Sequence, residues 1–293
     1  MIAISQRLRS FGAGGPVDWA CMLIDSRKCV ACGNCVPVCP MGAIYLEAGT
    51  AEVNQDECVE CSTCYRFLPS EGLPPALVRL ARRAIQLLRL RFDQPLDRCP
   101  TGALEPPDLE WPRSLRRAFS DPLVTHDDTG VAGRGTEEIK SNDITGRIGE
   151  GEAGVVIDLG RPGVGVRFSD IQKVTMALAA LGTEFEAENP VTLLIEDRAT
   201  GLLKPEVLDE KVLSAIIEIK TSLEGLPQQL RAVDEVAGEL DTVISIGVAS
   251  RCAPDGSIPH QAVCLEAGRV LSANGKTNLG LGRPVAAASG NGQ

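Results

Sequence analysis

Apolar residues recur at helical spacing in several stretches of the chain and cluster as strands in others. Behind Pro74 and Pro75, the residues Leu77, Leu80, Ala81, Ala84 and Leu88 trace one face of a helix over 74–92, and Arg79, Arg82, Arg83 and Arg89 fall on the other side. Ser169 is placed to cap a helix over 170–181. Pro205 suits a first helical turn, and Leu208, Val212, Ala215, Ile216 and Ile219 continue from it as a helical stripe. A further helix is predicted over about 227–240. Val155–Leu159, Val191–Glu196 and Thr242–Ala249 read as strands, Ala262–Leu271 as a hairpin around Ala267-Gly268, and Asn274-Gly275 as a turn. Helices and strands in this order predict a small α+β sandwich with its helices on one face.

Punctuation divides the chain. Pro106, Pro107, Pro112 and Pro122 crowd one stretch, and residues 130–165 hold ten glycines. The glycines, with Arg134, Arg147, Arg161 and Arg167 interleaved, predict loops where backbone comes close to a ligand or partner. The expected organisation is an N-terminal segment 1–23, a first domain 24–105, a Pro/Gly-rich linker 106–153, an α+β domain 154–284 and a flexible tail 285–293. A length of 293 residues agrees with about two domains.

Charge and composition narrow the function. The net charge of −10 and an aromatic content of 3% argue against nucleic acid as a partner, which needs a basic footprint or a stacking platform. No apolar run reaches the ~20 residues of a membrane span, and the N-terminus lacks the apolar core of a signal peptide. A cytoplasmic location is expected.

Cysteine carries the chemistry. Eleven are present, an odd number crowded at two-residue gaps, which suits metal ligation in a reducing compartment better than a disulfide framework. The first run is Cys29-x2-Cys32-x2-Cys35-x3-Cys39-Pro40. The second, Cys58-x2-Cys61-x2-Cys64, has no cysteine four residues on. The missing residue reappears at Cys99, because Cys99-Pro100-Thr101-Gly102-Ala103-Leu104 repeats Cys39-Pro40-Met41-Gly42-Ala43-Ile44. The two halves form an internal repeat, and the second carries residues 65–98 as an insertion. Zinc knuckles would leave the third cysteine and the Cys-Pro step without a role. Soft thiolates at these gaps suit iron–sulfur clusters.

Residues 24–105 resemble a bacterial-type ferredoxin domain with two 4Fe–4S clusters. The resemblance implies crossed ligation: one cluster on Cys29, Cys32, Cys35 and Cys99, the other on Cys58, Cys61, Cys64 and Cys39. The expected fold class is therefore α+β, a two-cluster ferredoxin-like domain with a basic helical insertion followed by the small α+β domain. The insertion holds seven arginines against Glu71, Asp93 and Asp97, a basic patch for an acidic redox partner or simply a solvated lid.

The remainder has a small catalytic inventory. The strand, Gly-rich loop and helix around Gly160–Arg167 suggest a phosphate cradle for flavin or nucleotide, against an ordinary βα turn, but Gly163 and Gly165 do not complete the dinucleotide fingerprint. Cys21, Cys252 and Cys264 read as structural residues, His126 beside Asp127 and Asp128 as a solvated loop histidine, and Lys140, Asn142 and Asp143 as turn chemistry. Cys252, His260 and Cys264 match no standard metal spacing. The stretch from His126 to Arg147 is similar to the region that follows the ferredoxin domain in proteins assigned as 6-hydroxynicotinate reductases. That resemblance implies iron–sulfur clusters with flavin, reducing a hydroxylated pyridine ring with electrons from ferredoxin.

The function expected is an electron-transfer subunit of an oxidoreductase complex. It would pass single electrons through two clusters from a soluble donor such as ferredoxin to a partner reductase. The alternatives are a flavin-containing reductase subunit acting on a hydroxylated N-heteroaromatic acid, and a redox-sensing or structural iron–sulfur adaptor.

Overall fold

The computed structural model describes residues 22–90, 97–126, 130, 139 and 142–272. Cys21, Phe92, Asp127, Asp128, Arg134, Lys140, the turn at Asn274-Gly275 and the tail from 285 lie outside the described residues.

The first half is a doubled unit. β1 (Leu23–Ile24), α1 (Cys35–Val38) and β2 (Ile44–Glu47) are followed by β3 (Thr50–Val53), α2 (Thr63–Phe67), the inserted α3 (Pro75–Leu87) and β4 (Leu104–Glu105). β1 pairs with β4 and β2 with β3, both antiparallel, so each half closes the other. The equivalence extends to single bonds. Asp25 and Asn54 both build an Asx turn, accepting from Arg27 N–H and Asp56 N–H at 2.8 and 3.0 Å. Their carbonyls accept from Cys29 N–H and Cys58 N–H at 2.8 and 3.0 Å. Their own N–H groups donate to Ala103 and Ala43, at 2.9 and 2.8 Å. Met22, Ile44, Ala51, Leu68, Ala103 and Leu104 fill the small core between the halves.

The insertion is stapled shut where it leaves. Cys99 N–H donates to Pro69 C=O, Glu71 N–H to Cys99 C=O and Leu73 N–H to Pro100 C=O, so the chain returns beside the point of departure. α3 meets the sequence expectation in position but not in orientation. Arg79 and Arg82 turn inward, donating to the carbonyls of Arg27 and Cys29 at 2.6 and 2.8 Å and of Ala31 at 3.3 Å. The apolar stripe faces outward, and no residue of α3 is buried. The arginines win the inner face because a loop that wraps cysteines leaves carbonyls without partners, and guanidinium groups satisfy several at once.

The second half holds α4 (Ser114–Ser120), α5 (Asn142–Thr145), β5 (Glu152–Leu159), β6 (Val166–Arg167), α6 (Phe168–Ala179), β7 (Glu184–Phe185), α7 (Pro190–Leu193), β8 (Ile195–Asp197) and β9 (Leu202–Leu203). A 3₁₀ turn over Pro205–Val207 leads to β10 (Lys211–Val212), β11 (Ala215–Ser222), α8 (Leu226–Ala237), β12 (Ile244–Ser250) and α9 (Pro259–Glu266). The main sheet runs β12-β5-β11-β7, all antiparallel. Ala153, Val155, Ile157 and Leu159 of β5 and Ala215, Ile217 and Ile219 of β11 alternate onto the face that shares a core with α6 and α8. The mixed architecture agrees with the α+β expectation.

Several elements differ from the sequence reading. The helix expected from Leu208 to Ile219 is β10 and β11. Its apolar residues fit both periods, and Ala215–Ile219 is a continuous buried run in a strand flanked on both sides, where β-branched Ile is favoured. The strand expected over Val191–Glu196 is α7 and the start of β8; Asn189 caps α7 by accepting from Val191 N–H. The hairpin expected over Ala262–Leu271 is α9, opened by Pro259 and closed at Gly268, whose φ is +75°. Arg167, not Ser169, occupies the cap position of α6. The stretch read as linker contains α4, whose Leu115 and Phe119 join the second core.

α4 packs against both halves. Buried Arg116 pairs with Glu210 and donates to the carbonyls of Gln55, Asp56 and Cys58, the last at 2.7 Å. Lys211 pairs with Glu57 at 2.5 Å. The Gly-rich loop also leans on the first half: a Cβ on Gly165 would lie 2.7 Å from Met41 Cε and 3.0 Å from Val212 C=O. At Gly165 the close approach is made by the protein's own Cys39 turn rather than by the ligand or partner expected from the sequence. Replacing Arg116 by Met strips one partner from a buried ion pair and three carbonyls. The expected loss is about 3–5 kcal/mol, read as a lowered denaturation midpoint.

Candidate functional site: two cysteine-lined cavities

The backbone of each cysteine loop follows from three enforced turns. Ala31 and Glu60, the residues before Cys32 and Cys61, take left-handed conformations at φ +51° and +57°. Gly33 and Ser62, the residues after, do the same at +81° and +55°. Alternating handedness curls the loop around a point, so cysteines three apart in sequence face a common void. At the fourth cysteine, Gly42 and Gly102 sit at φ +62° and +65°. That turn brings Ala43 N–H to Cys39 Sγ and Ala103 N–H to Cys99 Sγ, each at 3.3 Å. The repeated Cys-Pro-x-Gly-Ala tail is thus a device for aiming one N–H at one sulfur.

Two small cavities result. Cys29, Cys32, Cys35 and Cys99 line the first, with Ile24, Val30, Leu68 and Leu104 as apolar wall. Cys39, Cys58, Cys61 and Cys64 line the second, with Met22, Met41, Ile44 and Val59. All eight cysteines singled out in the sequence are therefore brought together in two groups of four, and each group takes its fourth member from the other repeat. None of the eight is in a disulfide. Further donors reach the sulfurs: Ala31 N–H and Ala51 N–H to Cys29 at 3.5 and 3.4 Å, and Thr63 Oγ1 to Cys61 at 3.1 Å.

Burial makes these thiols reluctant to ionise by themselves. It is the main cause that pushes Cys35 and Cys64 up to about 12, with neighbouring thiolates adding to it. Cys58 rises to about 11 through burial and then the Glu60 carboxylate. Such a ring of thiols is stable as thiolate only against a positively charged group, and loading one releases protons. Among the described residues no three His, Cys, Asp or Glu side chains converge as a single ion requires. Four sulfurs around a void instead suit a cubane, whose irons stand apart and each take one thiolate. The donor set, the cavity and the N–H groups aimed at sulfur all fit that cofactor.

Sequence reasoning missed two residues here. Glu60 is 1% exposed, lines the second cavity, accepts from Met22 N–H at 3.2 Å and lies 3.6 Å from Arg117. Burial raises its carboxyl above the usual range. Nothing in a Cys-x2-Cys gap signals a buried acid. Arg116, bonded to Cys58 C=O, was hidden in the Pro-rich stretch.

The other candidates disperse. Cys264 is buried, Cys252 is exposed against expectation, and His260 Nδ1 lies 2.8 Å from Ser250 Oγ. His126 is not solvated: it is 5% exposed, with its ring edge-on to Phe119 at 4.4 Å. It lines an open cleft with Trp111, Arg117 and Lys204. The phosphate cradle expected before α6 is filled by the chain, since Phe168 N–H and Ser169 N–H donate to Glu210 C=O and Leu208 C=O at 3.1 and 3.0 Å.

Comparisons with known proteins agree with the loop geometry. Residues 22–45 match the 4Fe-4S binding domain family. The chain is 46% identical over 41 residues to the Ferredoxin-like protein in vnf region of Azotobacter chroococcum, which covers 14% of this chain and 63% of that protein. It is 33% identical over 63 residues to Ferredoxin YfhL of Escherichia coli, 20% of this chain and 70% of the relative. It is 40% identical over 52 residues to Pyruvate synthase subunit PorD of Methanocaldococcus jannaschii, 17% of this chain and 60% of that subunit. This is an iron–sulfur protein with a ferredoxin-type electron-carrier domain. Through that segment the chain belongs to the ferredoxin family. It spans about three fifths of the length of the first of these relatives. No solved structure matches it significantly.

Gly42 and Gly102 separate two costs of the same turn. A Cβ on Gly42 meets nothing within 4 Å, so Gly42→Ala bears only the backbone strain, about 1 kcal/mol. A Cβ on Gly102 would lie 2.3 Å from Ser70 Oγ, inside the staple that closes the insertion. Thermal melting is expected to show Gly102→Ala losing clearly more stability than Gly42→Ala.

Proposed function

We propose that this chain is an iron–sulfur electron-transfer subunit that carries single electrons through two 4Fe–4S clusters to a partner reductase. One observation carries the reading: two cavities, each lined by four cysteines that include one from the opposite repeat. One cluster is held by Cys29, Cys32, Cys35 and Cys99 and the other by Cys58, Cys61, Cys64 and Cys39. The N–H and hydroxyl donors on Cys29, Cys39, Cys61 and Cys99 stabilise negative charge on sulfur and favour the reduced clusters. Residues 24–105 act as the cluster domain, and α4 joins it to the α+β domain of residues 154–284. A soluble donor such as ferredoxin fills the clusters from outside, as expected of a subunit working in the cytoplasm within a larger complex. The relationship to a pyruvate synthase subunit supports the assembly into a multi-subunit oxidoreductase.

A second reading has a specific observation behind it. The cleft lined by Trp111, Arg117, His126 and Lys204 joins apolar walls to cationic side chains, the chemistry of a hydroxylated N-heteroaromatic acid site in a reductase subunit. Lys204 Nζ stands 5.7 Å from the Trp111 ring, and Arg117 reaches from the cleft to Glu60 at the second cavity. Turnover of such an acid by the isolated, reduced chain would favour this reading over the relay.

Two experiments address the relay. Cys99→Ser is expected to lose the first cluster and retain the second, dropping iron from about eight to about four per chain. An equal loss from both cavities would contradict the crossed assignment. Reductive titration of the intact chain is expected to take up about two electrons, one per cluster, and to return them reversibly. Clusters that cannot be reduced without losing iron would make them structural and overturn the relay.

A further inference from the structure

α3 is an amphipathic helix docked by its polar face. Pro75, Val78, Arg79, Arg82 and Ile85 are half-buried, and Arg79 and Arg82 reach carbonyls of the Cys29–Cys32 loop. Leu77, Leu80, Ala81, Ala84, Leu87 and Leu88 form the outer face; Leu80 is 64%, Leu87 84% and Leu88 65% exposed. An outward stripe at this spacing is the pattern by which a helix anchors in another protein's groove. The folded chain gains nothing from presenting it to water.

Charge selects the occupant. Residues 75–90 contain four arginines and no acidic residue, in a chain whose net charge is −10. Arg79 and Arg82 are engaged with carbonyls of the cysteine loop, which leaves Arg83 and Arg89 exposed beside the leucines. A second copy of the same face would set these arginines against their own kind, with no carboxylate on α3 to answer them. An anionic membrane is a poorer match, because residues 75–90 hold no lysine and no aromatic side chain to anchor at a lipid interface. A protein with an apolar groove and a carboxylate rim satisfies both features.

We propose that the outer face of α3 is the docking surface for an acidic redox partner, seated over the first cluster. This rests on the relay reading and adds to it the port. α3 lies directly on the loop that carries Cys29 and Cys32, so a partner on its outer face is separated from the first cavity by about one helix diameter, ~10 Å. Each transfer moves one electron from a reduced cluster to the partner's centre, with no bond made or broken.

The test uses two haem proteins of opposite charge as acceptors for the reduced, cluster-loaded chain: an acidic b-type cytochrome and a basic c-type cytochrome. In each case a ferric haem takes one electron and the cluster returns to its oxidised state. Leu80→Glu and Leu87→Glu are compared with the unaltered chain, each checked for unchanged iron content and melting temperature. Reduction of the acidic cytochrome is expected to fall at least tenfold in both variants and to slow with added salt in the unaltered chain. Reduction of the basic cytochrome is expected to stay the same. Equal rates for variant and unaltered chain with the acidic cytochrome would overturn the proposal. So would a dimer of the unaltered chain that Leu80→Glu dissolves, or binding to phosphatidylserine vesicles that the variants abolish. Failure to reduce the basic cytochrome as well would instead strike at the relay itself.

Discussion

Gathering eight thiols, five of them buried, in two rings of four is the constraint on which the first half of this structure depends. A thiolate is poorly tolerated in an apolar wall, and burial raises Cys35 and Cys64 to about 12. The rings make physical sense when something positive fills them and when donors reach the sulfurs. Nearly every unusual backbone conformation nearby follows from this need: left-handed Ala31 and Glu60 curl the loops, and the turns at Gly42 and Gly102 aim an N–H at the fourth sulfur. The exchange of Cys39 and Cys99 between the rings also ties the repeats together, so the small core between them need not act alone.

The rest of the molecule is built against these loops. Wrapping a loop around sulfur turns its carbonyls outward, and arginines collect them. Arg79 and Arg82 do so for the first ring and Arg116 for the second, where it also pairs with Glu210 across the interface. The same solution gives two different outcomes. At the second ring, α4 is sandwiched and links the cysteine loop to the sheet. At the first, α3 lies outermost and leaves its leucines uncovered.

The ferredoxin-type domain was legible because its residues are constrained one by one. Cysteine spacing, Cys-Pro and the Gly-Ala tail each correspond to a contact, and the displaced Cys99 was recovered from that tail alone. The second half was less legible because its elements are set by neighbours. β11 reads as a helix in isolation and becomes a strand because β5 and β7 flank it. α9 is decided by Pro259 and Gly268 at its ends rather than by its weak periodicity. The stripe on α3 was read correctly, but periodicity says which residues share a face and not which way the face points. Glu60, Arg116 and the cleft around His126 depend on distant residues meeting, and a single sequence carries no sign of that.

The proposed relay requires two separate 4Fe–4S clusters, one in each ring. Iron, acid-labile sulfide and electron paramagnetic resonance of the full chain, purified and reduced under anaerobic conditions, test it most directly. The account predicts about eight iron and eight sulfide per chain, with the spectrum of two interacting one-electron centres. Zinc without sulfide, or about four iron with the spectrum of a single isolated centre, would contradict it.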